Sequence, residues 1–125
     1  MIIFRLNTHS GVPPYLQLVQ QVKHALQIGT LQAGDQLPTV KEVVSAVAIN
    51  PNTVFKAYHE LEKLGLVEGR VGSGTFVTGR PAGPPPQVQQ QLIADLDNWI
   101  ASAKAAGLDS EAIAVLVREA TQNID

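Results

Sequence analysis

Residues 39–77 hold the pattern that most limits what this 125-residue chain can fold into. Thr39 opens a short segment in which Val40, Val43, Val44 and Ala46 share one helical side. Glu42 follows Thr39 at the three-residue spacing of a reciprocal capping box. Ala48-Ile49-Asn50 is a turn, where Asn50 can cap a further helix and Pro51 takes its first position. Val54, Ala57, Tyr58, Leu61 and Leu64 then recur at i, i+3, i+4, i+7, and Gly65 supplies a left-handed stop. Residues 66–71 and 75–78 read as strands. Gly72-Ser73-Gly74 between them is a turn able to take positive φ. Helix, tight turn, helix and hairpin in this order predict a winged helix-turn-helix, in a protein that is mainly α with a small β-hairpin wing.

Upstream, residues 2–6 have the composition of a short strand. Pro13-Pro14 starts a helix whose apolar stripe is Tyr15, Leu16, Val19, Val22 and Leu26. Downstream, Pro84, Pro85 and Pro86 interrupt any ladder and favour an extended link. The expected organisation is a winged helix-turn-helix domain over residues 1–80, a Pro-rich linker at 81–86 and a helical segment over 87–125. In that segment Leu92, Leu96, Trp99 and Ala103 mark one side of a long helix, with Ile93 and Ile100 beside it. Gly107 stops that helix and Asp109 caps a last one, striped by Ile113, Leu116, Val117 and Ala120. About 40 residues are too few to be stable alone without staples or a partner. Two such helices cannot hide both stripes against each other. The expected dimer interface is therefore Leu92, Leu96, Trp99, Ile100, Ala103, Ile113, Leu116 and Val117, paired with the same helices of a second chain.

A helix-turn-helix directs the start of its second helix at base-pair edges in the major groove. Asn52 and Thr53 lie in that first turn and Lys56 one turn later. Asn can bond adenine bidentately, a Thr methyl can pack on thymine, and Lys suits a phosphate or a guanine edge. The positive end of the helix dipole adds phosphate affinity. Lys41 sits near the start of the preceding helix. In the wing, Gly72, Ser73 and Gly74 carry little bulk and Arg70 supplies charge. Asn50 has two readings of equal weight, a helix cap or a DNA contact. Trp99 reads as a core or interface residue, and Tyr58 as core with its hydroxyl at the edge.

The net charge of −2 at first argues against a nucleic-acid partner. Its distribution does not. Residues 1–80 hold seven Lys and Arg against five Asp and Glu, while residues 81–125 hold two against six. The mild basic surplus coincides with the helix-turn-helix. Absence of cysteine excludes a disulfide framework and a thiolate site, and fits a reducing cytoplasm. No signal peptide and no membrane-spanning run is expected.

Several linked motifs make the pattern specific: Leu37-Pro-Thr-Val-Lys-Glu42, Ile49-Asn-Pro-Asn-Thr-Val54, Ala57-Tyr-His-Glu-Leu-Glu62, Gly65-Leu-Val67 and Gly72-Ser-Gly-Thr-Phe-Val77. Pro14-Tyr-Leu-Gln-Leu18 and Gly34-Asp-Gln-Leu-Pro38 extend them upstream. Together, over roughly residues 10–78, they resemble the DNA-binding domain of the GntR family of bacterial transcription regulators. The Asn-Pro-Asn-Thr turn and the short tail are similar to the YtrA subfamily. The resemblance implies a homodimer bound to double-stranded DNA at a pseudo-palindromic operator, often as a repressor. It implies DNA contacts at Lys41, Asn52, Thr53, Lys56, Arg70 and Gly72. An inducer, if any, has to bind between subunits, and no cofactor is implied. Two positions depart from the family: Lys41 stands where Arg is common and lacks its bidentate fork, and Phe55 stands where a small or basic residue is common.

Other classes fit less well. His59-Glu60 begins a zinc-protease pattern, but Lys63 occupies the place of the second histidine. Neither His9 nor His24 has acidic neighbours at a ligand spacing, Ser73 has no partner base in the sequence, and no phosphate loop ends in Gly-Lys-Ser/Thr. An enzyme is not expected. The alternative is a winged helix that binds another protein and not DNA.

Overall fold

The computed structural model describes residues 2–124. Its elements are α1 (Pro14–Ile28), α2 (Val40–Val47), α3 (Pro51–Lys63), β1 (Val67–Arg70), β2 (Gly74–Val77), α4 (Pro86–Ala105) and α5 (Ser110–Gln122). The chain divides into two compact units, the first ending at Pro86 and the second beginning at Gln87. Mainly helical, with one antiparallel hairpin, the fold is the expected class.

In the first unit α1 buries Leu18, Val19, Val22, Ala25 and Leu26. The expected stripe was centred slightly off this face: Tyr15 and Leu16 are only half-buried, while Leu18 and Ala25 are enclosed. Gln17 is also buried, and its carboxamide is satisfied. Its Oε1 accepts from the Asn7 N–H at 2.8 Å, and its Nε2 lies 2.9 Å from both Asn7 O and Val12 O. A buried amide without such partners would cost about 1–3 kcal/mol. The strand expected at residues 2–6 does not form. Its backbone has no neighbouring ladder and is served by glutamine side chains. The Arg5 N–H donates to Gln21 Oε1 at 2.9 Å, and Gln21 Nε2 donates back to Arg5 O at 2.6 Å. Phe4 is thereby held in the core.

Helix α2 starts with the expected capping box. Glu42 N–H donates to Thr39 Oγ1, and the Thr39 N–H to Glu42 Oε1, both at 3.1 Å. Ala46, expected on its buried side, is exposed. So short a helix touches the core along a narrow strip, led by Val43 and flanked by Val40, Val44 and Val47. At the end of α3, Leu64 is likewise not core but 49% exposed. Gly65 at φ 77° reverses the chain there, so that the Leu66 N–H bonds Leu61 O at 3.0 Å and the Gly65 N–H bonds Glu62 O at 3.0 Å. This double closure puts Leu66 into the core in place of Leu64.

β1 is one residue shorter at each end than expected, and β2 is shifted by one residue so that Gly74, expected in the turn, opens the strand; the pairs are Val67↔Val77, Glu68↔Phe76, Gly69↔Thr75 and Arg70↔Gly74. Residues 34–37 run along the free edge of β2. The Gly34 N–H bonds Val77 O, Val77 N–H bonds Asp35 O and Leu37 N–H bonds Thr75 O, at 2.8–2.9 Å. The wing is therefore anchored to the loop before α2 by backbone bonds, and its tip projects beyond that support. At the far end of the unit, Arg80 donates to the carbonyls of Leu26, Gln27 and Pro84, closing the C-terminus of α1.

In the second unit Gly107, at φ 105°, ends the turn after α4. The Asp109 carboxylate accepts from the Ala112 N–H at 2.8 Å and starts α5 as expected. Ala103 and Ile113 are buried; Ile100 and Val117 are half-buried. Among the described residues no helix is long and apolar enough to cross a membrane.

Candidate nucleic-acid interface

The geometry of the helix-turn-helix follows from its turn. Ala48 takes the left-handed conformation (φ 50°, ψ 50°), its N–H still bonded to Val44 O at 3.2 Å. Ile49 is buried and pins the turn, and Asn50 accepts from the Asn52 N–H at 2.8 Å. Of the two readings of Asn50, the capping one has a bond in this structure. Pro51 then takes the first helical position.

The two sides of α3 differ completely. Val54, Ala57, Tyr58 and Leu61 are all buried, while Asn52, Phe55, Lys56 and His59 are exposed and Thr53 is intermediate. The rear is held by more than apolar contact. Tyr58 donates its hydroxyl to Pro38 O at 2.6 Å in a buried bond, tying α3 to the residue just before the α2 cap. Its hydroxyl was expected at the edge; the buried main-chain acceptor of Pro38 gives it a partner inside. Burial first, and then the nearby Glu42 carboxylate, push this hydroxyl above the ordinary tyrosine range.

Lys41 is exposed on the first turn of α2. On the wing, Gly72 has φ 77° with open space where a Cβ would stand. Gly74 has φ 116°, and a Cβ there would collide with the Gln36 carboxamide. Gln36 Nε2 donates to Ser73 O at 3.1 Å, and the Ser73 N–H donates to Arg70 O at 2.9 Å. Both backbone groups of Ser73 are thus committed, its N–H within the turn and its carbonyl to Gln36, which leaves its hydroxyl and the surface around Gly72. Val71, at the tip, is fully exposed.

Two of the expected contact residues have partners that the sequence did not announce. Lys56 Nζ lies 4.1 Å from the centroid of the Tyr15 ring, and Arg70 Cζ lies 4.5 Å from that of Phe76. Tyr15, like Gln36, is far away in sequence from the group it meets, whereas Phe76 lies six residues from Arg70 on the facing strand of the same hairpin. The exposure of Phe55 was also unremarked, although its place between Thr53 and Lys56 on a helix with its rear at Val54 and Ala57 was a usable signal. Among the described residues no group of three or more His, Asp and Glu is arranged to hold a metal.

A capped helix-turn-helix with a buried rear, an open polar front and an anchored hairpin defines the winged helix-turn-helix class. The comparisons specify it further. The model of the bacterial regulatory proteins of the gntR family matches residues 14–77, just over half of the chain. The HTH-type transcriptional repressor YtrA of Bacillus subtilis (strain 168) is 31% identical over 123 residues, covering 98% of this chain and 95% of its own. A transcriptional antiterminator from Listeria monocytogenes EGD-e has a crystal structure similar to this one, with TM-score 0.60 and 33% identity over 98% of this chain and 92% of that one. YtrA from Sulfolobus acidocaldarius, a GntR-family transcription factor, is similar with TM-score 0.58 and 25% identity over 80% of this chain and 99% of that one. This chain belongs to the gntR family of bacterial regulatory proteins, and its relatives are regulators of transcription, not enzymes.

Proposed function

We infer that this chain is a DNA-binding transcription regulator, as its family membership implies, and propose that it works in the cytoplasm as a homodimeric repressor on a pseudo-palindromic operator. The observation that carries the reading is the two-sidedness of α3. The helix is fixed from behind by four buried side chains and a tyrosine bond, and its front presents exposed Asn52 and Lys56 with Thr53 half-exposed between them. In this reading Asn52 and Thr53 read base edges, and Lys41, Lys56 and Arg70 meet phosphates. Gly72, Ser73 and Gly74 bring the wing to the backbone or minor groove. Asn50 acts mainly as the cap that orients Asn52.

A dimer is supported by what the second unit leaves uncovered. Val88, Leu92, Leu96 and Trp99 form one side of α4 and are 43–54% exposed, and Leu116 on α5 is similarly bare. Ala103 and Ile113 already pack within the protomer, so they support the exposed residues and contribute less area of their own. A second copy covering this stripe would give the assembly two recognition helices, as a pseudo-palindromic operator requires. A small-molecule effector that relieved repression would bind between the protomers.

Fluorescence anisotropy with a duplex from the promoter of the chain's own gene, at two salt concentrations, tests the reading. Tight, salt-sensitive binding is expected, together with its loss in Asn52→Ala/Lys56→Ala at an unchanged melting temperature. Absence of binding at low salt would refute DNA recognition.

A further inference from the structure

Lys56 and Arg70 sit on different elements, yet they share one arrangement. Each cation lies over an aromatic face, at 4.1 Å for Tyr15 and 4.5 Å for Phe76. The chain has only six aromatic residues, three Phe, two Tyr and one Trp. Neither cation has a carboxylate within ion-pair distance among the described residues. Glu60, one turn after Lys56 on the same helix, is engaged by Lys63 at 3.5 Å instead.

Resting on the DNA-binding reading above, we propose that Tyr15 and Phe76 are positioning residues that hold Lys56 and Arg70 ready for backbone phosphates. An aromatic ring is a suitable holder because it attracts the charge without consuming the donors. A guanidinium lying over a ring keeps its in-plane N–H groups directed outward, and an ammonium keeps the N–H groups that face away from the ring. A carboxylate in the same place would neutralise the charge and occupy the donors that a phosphate needs. Restricting two long side chains before binding also lowers the ordering cost of the complex. Tyr15 can serve because it is half-buried at the first turn of α1, with its ring supported by the core and one face left to Lys56. Phe76 is held in register by β1 and by the bridge to Gln36 on its other side.

The full chain is tested with Tyr15→Leu and Phe76→Leu, and with Tyr15→Phe and Phe76→Tyr as ring-preserving controls. In the free protein, ring-current shifts of the Lys56 ε-methylene and Arg70 δ-methylene protons are expected in wild type and in the controls, and lost in the leucine variants. In anisotropy with a mixed-sequence duplex at low salt, each leucine variant binds about two- to fivefold more weakly per protomer, and the controls bind as wild type. Tyr15→Leu adds nothing once Lys56 is Ala, and Phe76→Leu adds nothing once Arg70 is Ala. Fully additive losses, or ring-current shifts absent from wild type, overturn the assignment while leaving DNA binding intact. A wild-type protein that binds no duplex overturns the DNA reading itself, and this assignment with it.

Discussion

The two units solve the problem of burial in opposite ways. The first encloses seventeen apolar side chains drawn from all three of its helices, both strands and the N-terminal segment. Among the described residues the second encloses only Ala103 and Ile113, and it displays Leu92, Leu96 and Trp99. At about 25 cal/mol per Å² of apolar surface, a unit with so small an interior gains little from folding alone. The contrast teaches a division of labour. The first unit has a closed core within one chain and leaves the front of α3 open, whereas the second leaves an apolar stripe that the proposed dimer would cover.

The comparison breaks if the two units respond alike to truncation. Leu61→Ala, which empties a fully buried site between α3 and its neighbours, is expected to cost about 2–5 kcal/mol in chemical denaturation and to remove DNA binding with the fold. Leu96→Asp/Trp99→Asp is expected to leave the first unit's melting largely intact, while sedimentation shifts from dimer to monomer and the helical signal contributed by α4 and α5 falls. A double variant that stays dimeric would show that another surface pairs the protomers. Tyr58→Phe leaves Pro38 O without its buried donor and should cost about 1–3 kcal/mol in the first unit only.

The same tyrosine gives the comparison a pH axis. Its folded-state pKa is raised, so the folded protein holds the proton more tightly than the unfolded chain does. Its stabilising contribution is complete below the unfolded value of about 10 and declines as pH rises above it, by up to about 1.4 kcal/mol per pH unit. The first unit's denaturation midpoint should therefore fall above pH 10, and Tyr58→Phe should flatten that fall. The smallest effect is that of Asn50→Ala, about 1 kcal/mol from loss of the α3 cap. It should weaken DNA binding through Asn52 without altering the dimer.

Elements whose causes lie within a few residues were readable in advance. The Thr39–Glu42 box, the Asn50-Pro51 start, the Gly65 stop and the Asp109 cap all depend on neighbours two to five positions away, and each has its bonds here. Elements set by distant surfaces were not. Residues 2–6 have strand composition but no strand beside them, and Gln21 took the role of a ladder. Ala46 and Leu64 kept helical spacing but ran past the contact area, and the reversal at Gly65 gave the buried place to Leu66.

For the candidate site, the sequence alone identified the helix that presents Asn52, Thr53 and Lys56, because a 3.6-residue period separates a buried side from an open one. Only the tertiary structure decided what stands behind each of those groups. Tyr15 lies beneath Lys56, Pro38 O against Tyr58, and Gln36 against the wing. The reason is one of range: capping and helical periodicity are carried by bonds along the chain, whereas ring–cation and side-chain–backbone contacts need surfaces that meet only once the core has closed.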